Sequence, residues 1–197
     1  MWRAIGRIAI AGVVISLAGC IEFIHGAVDT PLENDKRLNG FWEEVQDKKD
    51  HGYLFVVETS PTEIRIAAFD DASCEKVTHY AATRTDLEGR HFLDIRLLDE
   101  NGRKSSDTHL IVASYTLDDA GRLSISLPDE PVFTQAIKTG DLAGHINGED
   151  PWTIVTITAA TLDVRRFLAA HPLIMTGGPT FSPLEGLPAT ARCQKNE

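Results

Sequence analysis

The sequence predicts a mainly β protein: an eight-stranded antiparallel up-and-down barrel, with a short helix before the last strand and a second helix after it. Three observations predict this. From residue 40 onward, short apolar runs follow one another, separated by Gly, Pro, Asn or Asp. Several alternate apolar and polar residues with a period of two, the pattern of a strand with one wet face. Eight such runs occur, and eight antiparallel strands can close on themselves and remove both sheet edges.

The first run is Phe41–Val45, and Tyr53–Val57 follows a Gly. Ser60-Pro61-Thr62 turns the chain into Glu63–Phe69, and Asp70-Asp71 leads towards Val77–Thr85. Glu88-Gly89 turns into His91–Leu97, where Leu93, Ile95 and Leu97 share one face and Asp94 and Arg96 the other. Asn101-Gly102 is a hairpin signal before His109–Leu117. Asp119-Ala120-Gly121 precedes Arg122–Leu127, the clearest period-two segment of the chain. Then the rhythm changes. Val132, Phe133, Ala136 and Ile137 fall at helical spacing within 131–139, and Gly140 stands where a C-cap glycine would. The β-branched run Trp152–Thr158 is expected as the eighth strand. A helix is expected over Thr161–His171, capped by Thr161, with Leu162, Val164 or Arg165, and Leu168 on one stripe.

The N-terminus reads differently. Arg3 and Arg7 precede an apolar run, and 12 uncharged residues separate Arg7 from Cys20. A membrane-spanning helix needs roughly 20 apolar residues, so this is the shape of a secretory signal. Leu17-Ala18-Gly19-Cys20 resembles the lipobox of bacterial lipoproteins. The resemblance implies cleavage before Cys20 and acylation of its thiol, and two or more acyl chains anchor stably. Residue 21 is Ile rather than Asp, which by the sorting rule of Gram-negative lipoproteins implies the outer membrane, with the body facing the periplasm. The expected organisation is a signal peptide over 1–19, a lipidated N-terminus and tether or first wrap over 20–37, the barrel over 38–176, and an irregular tail over 177–197.

Without Arg3 and Arg7, 17 Lys and Arg face 29 Asp and Glu, a formal charge of −12. Such a body repels phosphate backbones, so nucleic acid is not an expected partner. Cys74 and Cys193 remain after lipidation of Cys20. An oxidising compartment favours a bridge between them. Two free thiols or a thiol metal site are the alternatives, the latter with no Cys-x-x-Cys to support it.

Gly40-Phe41-Trp42 at the start of the first strand resembles the Gly-x-Trp signature of lipocalins and their calycin relatives. The helix after the last expected strand is similar to the one beside lipocalin barrels, whereas the family's Thr-Asp-Tyr motif is absent. The resemblance implies a C-terminal disulfide to the barrel wall and an arginine, here Arg165 or Arg166, lying over the tryptophan.

No catalytic constellation is legible: Gly-x-Ser-x-Gly, a phosphate loop, Gly-x-Gly-x-x-Gly and His-Glu-x-x-His are all missing. His79, His91 and His109 fall on neighbouring expected strands and would bind metal only if they shared a face. Asp70-Asp71 and Asp118-Asp119 suit turn geometry better than calcium. Trp42, Tyr53, Phe55, Phe92 and Tyr115 are the candidates to line a ligand cavity, or else to fill a closed core. The expectation is a non-enzymatic, membrane-anchored lipoprotein without cofactor. It would bind a small apolar or amphipathic ligand in the barrel. The alternative is a filled barrel that serves as a structural module or binds an envelope protein.

Overall fold

The computed structural model describes residues 21–45, 52–70, 77–103, 109–148 and 153–185. In chain order the elements are β1 (Ile21–Phe23), a 3-10 turn (Lys36–Leu38), β2 (Gly40–Glu44), β3 (Gly52–Ser60), β4 (Glu63–Asp70), β5 (Thr78–Leu87), β6 (Arg90–Leu97), β7 (Ile111–Leu117) and β8 (Leu123–Pro128). They continue with α1 (Glu130–Thr139), β9 (Gly144–Asn147), β10 (Ile154–Ile157), α2 (Thr161–Ala170), β11 (Met175–Thr176) and β12 (Thr180–Leu184).

Eight strands form one closed antiparallel ring in the order β2-β3-β4-β5-β6-β7-β8-β12, with β12 pairing back onto β2. The turns that enforce this are local. Glu88 (φ 51°) and Gly89 (φ 77°) both take positive φ, the two-residue turn whose twist matches the strands it joins. Asp118 accepts backbone N–H bonds from Ala120 (2.9 Å) and Arg122 (2.8 Å), so this acidic pair serves a turn. Asn101-Gly102 also turns, but inside a longer connection, since β6 ends at Leu97 and β7 starts at Ile111.

Period-two alternation selects what enters the barrel. Trp42, Tyr80, Tyr115 and Phe181 point inward with Leu54, Leu93 and Leu123, and each is at most 8% exposed. Burying a side chain of this size contributes about 1.5–3 kcal/mol. The opposite face of β6 and β7 is also buried. Phe92 and Val112 turn outward into a second core, against Phe23, Phe133, Val155, Val164 and Leu168. That core is roofed by a three-stranded sheet, β1-β10-β9, and by the two helices. Asp129 caps α1, and Gly140 ends it in the left-handed conformation (φ 82°), as the sequence predicts.

Three expectations need correction. The run expected as the eighth barrel strand lies outside the ring: Ile154–Ile157 is the middle strand of the small sheet. Val155, Thr156 and Ile157 are consecutively buried, which suits a strand covered on both faces and not a barrel wall. The ring is closed instead by Thr180–Leu184, in a segment expected to be irregular, and Phe181 supplies its buried inward side chain. In α2 the N-cap is Ala160, without a side-chain cap bond, and Leu162 is 62% exposed. The buried stripe is Val164, Phe167 and Leu168.

Candidate functional site

The first site is the clasp that holds the N-terminal segment to the barrel. Asp94 points out of β6, where Thr83 is its cross-strand neighbour. Its Oδ1 accepts the Ala27 N–H (2.8 Å) and its Oδ2 the Val28 N–H (2.9 Å). Gly26 makes the approach possible, because a Cβ there would fall on the Asp94 carboxylate. Burial pushes the Asp94 carboxyl above its usual range, while the Val28 and Ala27 N–H groups, Arg165 and Arg96 pull the other way. From α2, Arg165 Nη1 donates to Ala27 O (2.8 Å) and Thr85 Oγ1 (3.1 Å). A carboxylate and a guanidinium thus hold the two polar sides of one short stretch of backbone.

The second is the barrel end that the Lys36–Leu38 turn covers. Trp42 Nε1 donates to Leu38 O (2.9 Å), which fixes the turn over the interior. Asp35 is held below the usual carboxylate range, chiefly by its side-chain bond with Arg37. Inside this end, Arg84 Nη2 meets Asp86 Oδ2 at 2.8 Å, and Asp86 Oδ1 lies 2.7 Å from His91 Nδ1. The His91 ring stacks on Tyr115 at 5.2 Å. Burial pushes the Tyr115 hydroxyl up to about 12. Among the described residues, Tyr115 Oη and Arg84 Nε have no hydrogen-bond partner.

The third is a groove of about 640 Å³ on the outer wall of β3, β4 and β5. Its apolar lining includes Phe55, Val57 and Ala67, and Phe55 is itself stacked on Phe41 at 4.5 Å. Arg65 and His79 supply the basic groups of the lining. Arg65 is fixed by Glu63 Oε1 (3.1 Å) and Gly102 O (2.8 Å).

These positions redistribute the aromatic candidates. Trp42 and Tyr115 face the interior, where they are 3% and 2% exposed. Tyr53, Phe55 and Phe92 face outward. Tyr53 stacks on Phe69 at 5.4 Å, Phe55 lines the groove, and Phe92 lies in the second core under the Arg90 guanidinium at 5.3 Å. The five therefore line no common chamber. The three histidines are likewise apart: His91 faces inward beside Asp86, His79 lies on the outer wall, and His109 Nδ1 is 3.6 Å from Glu22. No group of three metal-binding side chains occurs among the described residues. Neither Arg165 nor Arg166 lies over Trp42. Arg165 binds the N-terminal backbone instead, and Arg166 pairs with Asp163 at 2.9 Å. Cys20, Cys74 and Cys193 lie outside the described residues.

Asp94 and Arg84 escaped sequence reasoning as site residues, and Arg165 was expected over Trp42 and not at the N-terminal backbone. Asp94 and Ala27 stand 67 residues apart, and nothing near either residue announces the other. The one legible hint was Gly26, a glycine amid otherwise ordinary residues.

The molecule is thus a closed eight-stranded antiparallel barrel with a helix-and-sheet roof, an architecture compatible with a lipocalin-like fold. Comparison with protein-family models, curated proteins and solved structures gives no match.

Proposed function

We propose that this chain is a non-enzymatic bacterial lipoprotein, acylated on Cys20 and held at the outer membrane with its body in the periplasm. Its barrel acts as a structural or interaction module, not as a carrier. The burial of the barrel lining supports this reading: Trp42, Tyr80, Tyr115 and Phe181 occupy the space a ligand would need, and each is at most 8% exposed. A carrier of drug-sized molecules offers a cavity of roughly 300 Å³ or more, lined by apolar groups. Surface contact with another envelope component then falls to the outer wall, where the β3–β5 groove lies. The same compartment favours a Cys74–Cys193 bridge.

Intact mass of the purified protein tests the anchor, with residues 1–19 absent and acyl mass present on residue 20 as the expected result. Titration with fatty acids and phospholipids tests the barrel, read through Trp42 emission in a Trp152→Phe protein. No saturable change is expected, and a stoichiometric blue shift would restore the carrier reading.

A further inference from the structure

The fold leaves the proposed anchor no slack. Ile21 is already the first residue of β1 and is 4% exposed. Parallel pairing sets Ile21 against Val155, so the chain enters β1 at the end of the sheet where Ile154 begins β10. Ile154 is an apolar side chain left 41% exposed, beside Asn147 at the end of β9. The segment that follows is bound to the body. Phe23 is fully buried and exchanges both backbone hydrogen bonds with Leu110, at 3.0 and 2.8 Å. Asp94 and Arg165 then hold Ala27 and Val28. Acyl chains on residue 20 would therefore leave the body beside Ile154, with no spacer between lipid and fold.

The ring fixes what faces the other way. Leu110 directly precedes β7, so β1 sits on the β7 side of the barrel. In a closed ring of eight, the strand opposite β7 is β3, four steps away in either direction. The groove is built on β3, β4 and β5.

We propose that the flank formed by β1 and the adjoining ends of β9 and β10 lies directly on the lipid surface, with Ile154 at the contact, and that the β3–β5 groove is thereby presented away from the bilayer. This rests on the acylation of Cys20 proposed above. The geometry matters because the body is acidic, at −12, and an anionic leaflet repels it over a Debye length of about 10 Å. A long tether would let the body stand off, whereas a direct junction holds it down in one orientation.

The test uses the full acylated protein in phosphatidylethanolamine–phosphatidylglycerol vesicles that carry a headgroup quencher. A fluorescent amino acid replaces Asn147 in one protein and Val57, in the groove, in another. Quenching at 147 is expected to exceed that at 57 severalfold. A spacer of about 12 Gly and Ser residues after Cys20, with a root-mean-square reach of about 20 Å, should erase the difference, and Ile154→Asp should reduce it. Equal quenching at both positions in a protein whose intact mass carries the acyl groups overturns the orientation and leaves the anchor standing. A mass without acyl groups overturns the anchor itself, and the orientation with it.

Discussion

Asp94 shows how much one side chain can decide in this molecule. It accepts two backbone N–H groups from the N-terminal segment while buried to 8% exposure. Asp94→Ala leaves both donors without an acceptor, and an unsatisfied buried donor costs about 1–3 kcal/mol. We expect a loss of at least about that size in urea unfolding, with Gly26→Ala also destabilising because its Cβ overlaps the carboxylate. The pH dependence has a definite sign. Burial raises the Asp94 carboxyl above its unfolded value, so between the two values the folded state binds more protons than the unfolded chain. Stability from this group is therefore highest below the unfolded value, near 4, and falls as pH rises from there through the folded value. Asp35 and Asp118, both held low, act oppositely: their contribution is present above the unfolded value and is lost as pH falls through the folded one. Subtracting the urea midpoints of Asp94→Asn from those of the parent protein across pH 3–8 cancels the two low carboxyls. A difference that fails to fall with rising pH would refute the raised value.

At the scale of elements, the strands from β2 to β8 were legible because local chemistry announces them. Glu88-Gly89, Asp118–Gly121 and Gly140 each stand where the chain turns or a helix stops. Gly40-x-Trp42, read in the sequence only as a resemblance at the start of the first strand, lies at the covered barrel end, where Trp42 holds the Lys36–Leu38 turn through Leu38 O. Trp42→Phe leaves that carbonyl without its donor and part of the buried indole volume empty, so a loss of more than about 1 kcal/mol is expected in thermal or chemical unfolding. Gly140→Ala forces a Cβ into the left-handed region (φ 82°) and should cost about 1 kcal/mol by the same measurement. What the sequence concealed is also physical. A short buried run such as Val155–Ile157 has no period to reveal its neighbours. β12 carries Pro183, which cannot donate to a ladder, so its segment reads as a loop although Phe181 is fully buried. The clasp on the N-terminal segment was less legible than the fold, because its polar contacts join residues 66 to 138 positions apart.

For the whole molecule, closure is the property on which the rest depends. A chain truncated after Gly177 lacks β12, which leaves one side of β2 open and β8 covered there by β11 only at Leu127 and Pro128. We expect it to aggregate or fail to give a single species in size-exclusion chromatography, whereas removal of residues 186–197 leaves every described strand in place. β2 begins at residue 40 and its partner β12 at residue 180, so the wall is completed only by pairing strands far apart in the chain. The seven strands of the meander, β2 to β8, all precede the closing strand in the chain. Until β12 docks, the polypeptide carries two open hydrogen-bonding rims, one at each side of an unfinished cylinder. Long-range pairing of this kind is slow to form, and such rims invite pairing with other chains. Molecules of this protein are therefore most vulnerable before β12 docks, and a holding chaperone would protect them best by covering the rims of β2 and β8.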